Sequence, residues 1–495
     1  MRALRLAARL SGPMLGIGLA GCTVGPDYQS PEIAAAPKRM PLETVDLPSR
    51  TVEGKIDATW WKSFRDSQLS SLVERLVAQN LDLKTAAERV VQGVAQRQVA
   101  VAQGLPHIDG LSSNTYNRAS PNSTIFVKQP DAPLEYALFR EGLTSSWQLD
   151  LFGRVRRAVE AADAETLAAV ENRHGVALAA LAELAQSYML LRGTQDRLEI
   201  AKRNLRLAGE NVDLVNQRFG GGVATTLDLA QARAQQATIA ATLPPLRIQE
   251  VELINAIGLL LGDAPRALEA ELRRSRMLPR VPHRVPVGLR GTLVRRRPDV
   301  REAEAHLHEA TAQTGVAVAS FYPDVTLNGA ANVESLHLSN LFTPTSTAFA
   351  VGPSISIPIF EGGQLKGTLA LRESQQREAA IFFQKTVLRA WKEVDDALTA
   401  YRESQRRRGD VARSVTENQA ALQAARQRYS EGAIDFLNVI TTQAQLLQSE
   451  NDLADSDTLI ATNLVNLYRA LGGGWEIADV DYRADGAPRW KIGTP

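Results

Sequence analysis

A single cysteine, Cys22, stands among 495 residues, so no disulfide can form within the chain. Aromatic residues make up 5% of the chain and the formal net charge is +1. There is neither the basic surplus of a nucleic-acid binder nor the charge excess of a disordered chain. Beyond the N-terminus no apolar run approaches the roughly 18 to 20 residues of a spanning helix. A part that crosses a membrane would therefore be built of strands. Proline, present 23 times, is missing from Arg154 to Leu243 and from Ile359 to Ala487. Nothing in those two stretches forbids long helices.

What is present begins with a leader. Arg2, Arg5 and Arg9 precede and enter an apolar stretch from Leu10 to Leu19, the pattern of a secretory signal. It closes on Leu19-Ala20-Gly21-Cys22, small residues directly before the only thiol, which is the pattern of a bacterial lipobox. Cleavage there removes three arginines and no acid, so the mature chain is near neutral. Thr23 follows the cysteine, where an aspartate would mark retention at the inner membrane; its absence points to the outer membrane. The proline-rich stretch up to Ala58 has no helical period and is expected to be an extended tether.

The rest of the chain is built twice. Subtracting 210 carries Arg428, Tyr429, Gly432, Leu437 and Leu471 onto Arg218, Phe219, Gly222, Leu227 and Leu261 without a gap. Approaching the first of these sites, Leu198, Ala201, Leu205, Ala208, Val212, Val215 and Phe219 recur at steps of three and four, a coiled-coil seam. Val411, Val415, Leu422, Ala425 and Tyr429 repeat it, with Asn418 as a polar break. Each copy is expected to be two helices meeting at a tip, with Gly222 and Gly432 where the chain reverses. An unbroken helix from Arg154 to Phe219 would be roughly 100 Å long. Upstream, Leu81 to Pro106 matches Pro298 to Pro323 with an offset of 217, a helix stopped by proline in both copies.

After each of those prolines the period turns from helical to alternating. Phe349, Val351, Ile355, Ile357 and Ile359 share one face, and Trp147, Leu149 and Leu151 do the same. His107 to Tyr116 and a strand starting at Val325 and Leu327 supply the partners. Four strands per chain cannot close a barrel, which needs about eight, and an open edge cannot face lipid. Two copies would supply about eight strands and three about twelve, and the pattern alone does not choose. The fold class is thus mainly α with a β-barrel portion, a duplicated helix–strand–strand–helical hairpin that works as an oligomer. The expected division is a signal peptide at 1–21, the tether at 22–59, a first repeat at 60–272, a second repeat at 273–475 and a tail at 476–495. In the first repeat the strands fall at about 107–152 and the hairpin at 154–262. In the second they fall at about 324–360 and 363–472.

The lipobox, Val24-Gly25-Pro26-Asp27-Tyr28, Trp60-Trp61, Asn80-Leu81-Asp82-Leu83, Arg296-Arg297-Pro298-Asp299-Val300 and both tips occur in one order along nearly the whole mature chain. That set resembles the outer-membrane factors of tripartite efflux systems, the TolC-like channels, in their lipoprotein (NodT-type) branch. The resemblance implies a homotrimer with a shared twelve-stranded barrel and a twelve-helix periplasmic tunnel. It implies a periplasmic adaptor and an inner-membrane pump, of the resistance-nodulation-division type, as partners, with outer-membrane lipid around the barrel and on Cys22. It places adaptor contacts at Arg218, Phe219, Gly222, Leu227, Arg428, Gly432 and Leu437, where glycine would permit close helix approach. It places the periplasmic gate at Asp228, Tyr429, Asn438 and Thr441. Two of those departures matter: Asn438 and Thr441 stand where such channels often carry aspartates, and Ile434 stands where an arginine often joins the link between Asp228 and Tyr429. The implied function is a passive exit duct for small molecules such as drugs; the alternative is the channel of a type I protein secretion system.

Signs of catalysis are weak. The pair Glu302 and His306 has a spacing that can ligate a metal, but the repeat places Arg89 opposite His306, so a solvated pair is expected. Gly220-Gly221-Gly222 lacks the lysine of a phosphate loop and follows no strand. Arg295-Arg296-Arg297 reads as the solvated start of a helix. No enzyme activity, cofactor, metal or nucleic-acid partner is expected.

Overall fold

The computed structural model describes residues 23–32, 47–120, 122, 134–288, 294–478, 481–482 and 488–489. Its helices are α1 (Ser67–Gln79), α2 (Leu81–Ala102), α3 (Arg154–Gly220), α4 (Thr226–Ala240), α5 (Leu243–Leu260), α6 (Glu269–Leu272), α7 (Pro298–Ala319), α8 (Gln364–Ser430) and α9 (Phe436–Ala470). The strands used below are β1 (Arg50–Val52), β2 (His107–Arg118), β3 (Glu135–Leu149), β4 (Arg284–Pro286), β5 (Asp324–Ser335) and β6 (Thr347–Ser356). The duplication is carried into the backbone residue by residue. α3 and α8 each have 67 residues and α2 and α7 each have 22, with ends that coincide under the same offsets of 210 and 217. β2 and β5, with 12 residues each, follow the second offset.

The chain divides into two compact units. The first, made of residues up to 30, 93–166 and 306–380, holds one antiparallel sheet in the order β2-β3-β5-β6. Its register sets His107 against Ser146, Phe139 against Ser335 and Asp324 against Ser356. Phe349, Val351 and Ile355 alternate along β6 and are 82%, 75% and 64% exposed, so this apolar face has no partner among the described residues. Strands of 10 to 15 residues are long enough to cross a bilayer at a tilt, which takes about 9 to 11. The outer strands β2 and β6 each pair on one side only. β6 stops at Ser356, short of Ile357 and Ile359, because Pro358 has no N–H to give the ladder. β3 likewise stops before Leu151. Asp150 instead turns to the start of α3 and accepts from the Val155 and Arg156 amides at 3.1 and 2.9 Å, satisfying donors that open a helix.

The second unit, residues 31–92, 167–305 and 381 onward, contains the main core and both hairpin tips. Trp60 is fully buried, stacks on Tyr468 at 4.9 Å and donates its indole N–H to the Gly473 carbonyl at 3.0 Å. Burial pushes the Tyr468 phenol up to about 12, with Ser63 opposing and Asp57 adding to the rise. Asp66 caps α1 and also accepts from Tyr188 Oη at 2.9 Å. Asn80 joins α1 to α2 by accepting from the Leu83 amide and donating to the Leu260 carbonyl at 2.7 Å.

Three expectations need correction. The described part of the stretch before Ala58 is not a free tether. Ser49 is buried, accepts from Tyr401 Oη at 2.6 Å and exchanges two hydrogen bonds with Gln405, while β1 pairs in parallel with β4. The start of α7 is not a solvated basic cluster. Arg297 is buried against Asp299, Glu393 and the Ala470 carbonyl, and Arg296 is paired with Glu476. The return arm of the first hairpin is not one helix. It breaks between α4 and α5 just before Pro244 and Pro245, where a proline removes an amide donor and its ring clashes with the carbonyl four residues back. The same stretch of the second hairpin has Ala454 and Asp455, and α9 runs through 35 residues unbroken.

Candidate functional site

The two tips lie in the second unit and are built from the same backbone motif. At the first, the Gly222 amide donates to the Phe219 carbonyl and the Val223 amide to the Arg218 carbonyl; at the second, Gly432 and Ala433 repeat this with Tyr429 and Arg428. Both glycines have positive φ, +73° and +77°, which closes the helix with a left-handed residue. An added Cβ at either glycine would meet nothing within 4 Å. Inside one chain, therefore, the glycines are required by φ and not by close helix approach.

The side chains of the tips differ. In the second, Tyr429 and Phe436 pack at 5.2 Å and share a buried cluster with Val215, Val415, Leu422, Val439 and Leu446. In the first, Phe219 remains 40% exposed, and Thr226 stands where the repeat would place the partner of Phe436. Asp228 closes a capping box with Thr225, accepting from its amide and hydroxyl at 2.8 Å each. The second tip has Asp435 at the N-cap without a side-chain capping bond, and Asn438 in place of Asp228.

At the tips, Arg218 links the two hairpins. Its Nη1 donates to the Tyr429 carbonyl at 2.6 Å and its guanidinium lies 4.6 Å over the Tyr429 ring. Asp228 is engaged with Thr225 through one carboxylate oxygen and lies near enough to Tyr429 to act on its phenol electrostatically. The Tyr429 phenol is pushed up by burial, with Arg218 opposing and Asp228 adding to the rise. A polar layer lies farther from the tips: Asn211 Nδ2 donates to Gln443 Oε1 at 2.6 Å, and Arg426 Nη2 donates to Asn211 Oδ1 at 3.0 Å. Sequence reasoning missed this layer, although Asn418, seen as a break in the seam, belongs to the same kind of contact, with Ser449 at 3.1 Å.

The structure brings Arg218 and Tyr429 together, while Asn438 and Thr441 are exposed and their side chains donate to backbone carbonyls of their own hairpin. Leu227 and Leu437 are exposed at 63% and 56%, Arg428 is exposed, and Val223, unmarked by the sequence reading, is 68% exposed. Glu302 accepts from Asn172 at 3.0 Å, and His306 lies 3.1 Å from Glu309. Among the described residues no cluster of three His, Cys, Asp or Glu side chains is placed to hold a metal. Cys22 lies outside the described residues.

A sheet with an unpartnered apolar face and a pair of helical hairpins is thus found in one duplicated chain. Residues 72–263 and 289–473 match the family model described as outer membrane efflux protein. The chain belongs to that family. It is 29% identical over 462 residues to the cation efflux system protein CusC of Escherichia coli O6:H1, covering 93% of this chain and 98% of the relative. It is 30% identical over 471 residues to the toluene efflux pump outer membrane protein TtgI of Pseudomonas putida, covering 93% and 97%. Among solved structures, the outer-membrane channel OprN superposes with a TM-score of 0.85 at 33% identity, covering 92% of this chain and all of that one. The protein is an outer-membrane channel subunit of an efflux system, with the α/β-barrel fold of this family.

Proposed function

We propose that the chain acts as a homotrimer. The observation that carries this reading is the four-stranded sheet, whose apolar face is exposed and whose outer strands β2 and β6 are each paired on one side only. Unpaired strand edges in hydrocarbon are untenable, so neighbouring subunits must supply the missing partners. Three subunits would close a barrel of about twelve strands, within the range of known membrane barrels. The α3–α4 and α8–α9 hairpins then continue into the periplasm. Their exposed tip residues Phe219, Gly222, Leu227, Arg428, Gly432 and Leu437 receive a periplasmic adaptor, with Arg218 holding the two tips together. The open space over Gly222 and Gly432 leaves room for a partner backbone. Cys22 carries the lipid.

The duct is passive and non-enzymatic, and it passes small molecules handed over by a pump of the resistance-nodulation-division type. Relatives named for cations and for toluene share this architecture, which supports leaving selectivity to the pump. Mass measurement of the detergent-solubilised protein, with conductance of the same sample in a planar bilayer, tests the reading. A trimer that conducts is expected; a monomer with full channel conductance would sink it. Palmitate labelling of wild type but not of Cys22→Ser is expected for the anchor.

A further inference from the structure

The segment directly after Cys22 is held by the first unit through hydrogen bonds, an ion pair and a ring stack. The Val24 amide donates to the Phe152 carbonyl at 3.2 Å. Arg157, only 4% exposed, directs most of its donors at the segment. Its Nε donates to the Val24 carbonyl at 3.3 Å, and its Nη2 donates to the Asp27 carboxylate at 2.6 Å and to the Gly25 carbonyl at 3.4 Å. Its Nη1 is held by Glu160 at 2.7 Å, and the other Glu160 oxygen lies 2.9 Å from His308 Nε2. The His308 ring in turn stacks on Tyr28, with centroids 4.1 Å apart and planes inclined by 16°.

Small residues make room for this approach. Gly25 has φ +91°, and a Cβ there would lie 2.6 Å from Gly315 Cα. A Cβ on Gly315 would lie 2.9 Å from Arg157, and one on Gly153 would lie 2.7 Å from Thr23. Phe152, which receives Val24, stacks on Tyr322 at 4.8 Å, at the end of the sheet where β3 stops and β5 starts.

We propose that the start of α3 and the second half of α7 form a docking site whose ligand is the chain's own Val24–Tyr28 segment. Docking fixes the N-terminal anchor point to the helix-side end of the sheet of its own subunit. Consecutive Cα atoms are about 3.8 Å apart, so a group on Cys22 is confined to within two residues of the Phe152 junction. An acyl chain on Cys22 would then enter the bilayer beside the strands it accompanies. The segment from 29 onward would add reach without setting the position. The inference extends the lipid-anchor reading, but the docking itself does not need acylation.

The test uses full-length protein carrying Cys22→Ser and Gln29→Cys, so that a nitroxide on the exposed residue 29 is the only label and no acyl chain is present. Electron paramagnetic resonance should show an immobilised label. The mobile fraction should rise at least threefold with Gly315→Leu or Arg157→Gln. A label on Ser335→Cys in the same backgrounds reports the sheet and separates undocking from unfolding. If the sheet label loosens as well, Tyr28→Ala decides, because it alters the segment and leaves the docking site intact; a rise there supports the proposal. A label as mobile in the parent as in a free chain, or unchanged by Tyr28→Ala and Gly315→Leu, overturns it. Failure of palmitate labelling at Cys22 would defeat the anchor reading and leave this result standing.

Discussion

The two hairpins share a backbone and differ in what fills it. The second has a buried aromatic pair, Tyr429 and Phe436, beneath its tip and an unbroken return arm, α9. The first has an exposed Phe219, a threonine where the aromatic partner would be, and a return arm broken before Pro244. It holds its turn locally, through the Thr225–Asp228 capping box, and leans on its neighbour through Arg218. Duplication preserved the geometry that glycine and hydrogen bonds dictate. Divergence then assigned the packing to one copy and the local capping to the other.

That contrast can be broken most severely at Phe436. Phe436→Ala leaves a cavity in a buried cluster and should cost about 3 to 5 kcal/mol of local stability, read as lost amide protection around the second tip in hydrogen exchange. Phe219→Ala, at the exposed counterpart of Tyr429, should stay within about 0.5 kcal/mol. Equal losses at both sites would mean that the tips are not packed differently.

The return arms give the next test. Ala454→Pro puts into α9 the residue that breaks the first arm and should cost about 3 kcal/mol. Pro244→Ala with Pro245→Ala should join α4 to α5 and create protected amides at 244 and 245. Amides there that exchange freely would show that tertiary packing and not proline makes the break.

Arg218→Ala removes the tie between the tips. Its worth is at most that of a charged hydrogen bond, about 1.5 to 3 kcal/mol, and less because the side chain is partly solvated. Single-channel recording should show raised resting conductance. Tyr429→Phe, by contrast, keeps both the carbonyl and the ring that Arg218 uses and should leave conductance nearly unchanged. A large effect of Tyr429→Phe with none from Arg218→Ala would restore a phenol-centred gate.

The smallest expected effect concerns charge. Asn438 is neutral where the first tip has Asp228, and Thr441 is neutral as well, so block by trivalent cations should be weak. Asn438→Asp with Thr441→Asp should strengthen the block on the order of tenfold, in a salt-sensitive way. Strong block of the unmodified channel would place the gate elsewhere.

Much of the fold was legible because duplication, proline and period speak directly. The offsets of 210 and 217 brought α3 onto α8 and β2 onto β5, and the alternation at Phe349, Val351 and Ile355 marked β6. The break between α4 and α5 is also written in the chain, in Pro244-Pro245, directly after the proline-free stretch that ends at Leu243. The functional residues were less legible. Arg218 was recognisable as a tip residue, but its bond to a backbone carbonyl 211 positions away leaves no pattern in side-chain spacing. Arg297 looked like solvated charge, and only the placement of Asp299, Glu393 and the end of α9 buries it.

By itself the sequence determined the repeat, the helix lengths, the turn glycines and the face of each strand, because periodicity, φ preference and the missing amide of proline act over a few neighbouring residues. Tertiary structure decided which polar groups meet. Asn211 with Gln443, Arg218 with Tyr429, and Arg157 with Val24, Gly25 and Asp27 join residues 130 or more positions apart. Their pairing follows from where packed helices set them, since a buried polar group takes the partner that folding leaves within hydrogen-bond reach.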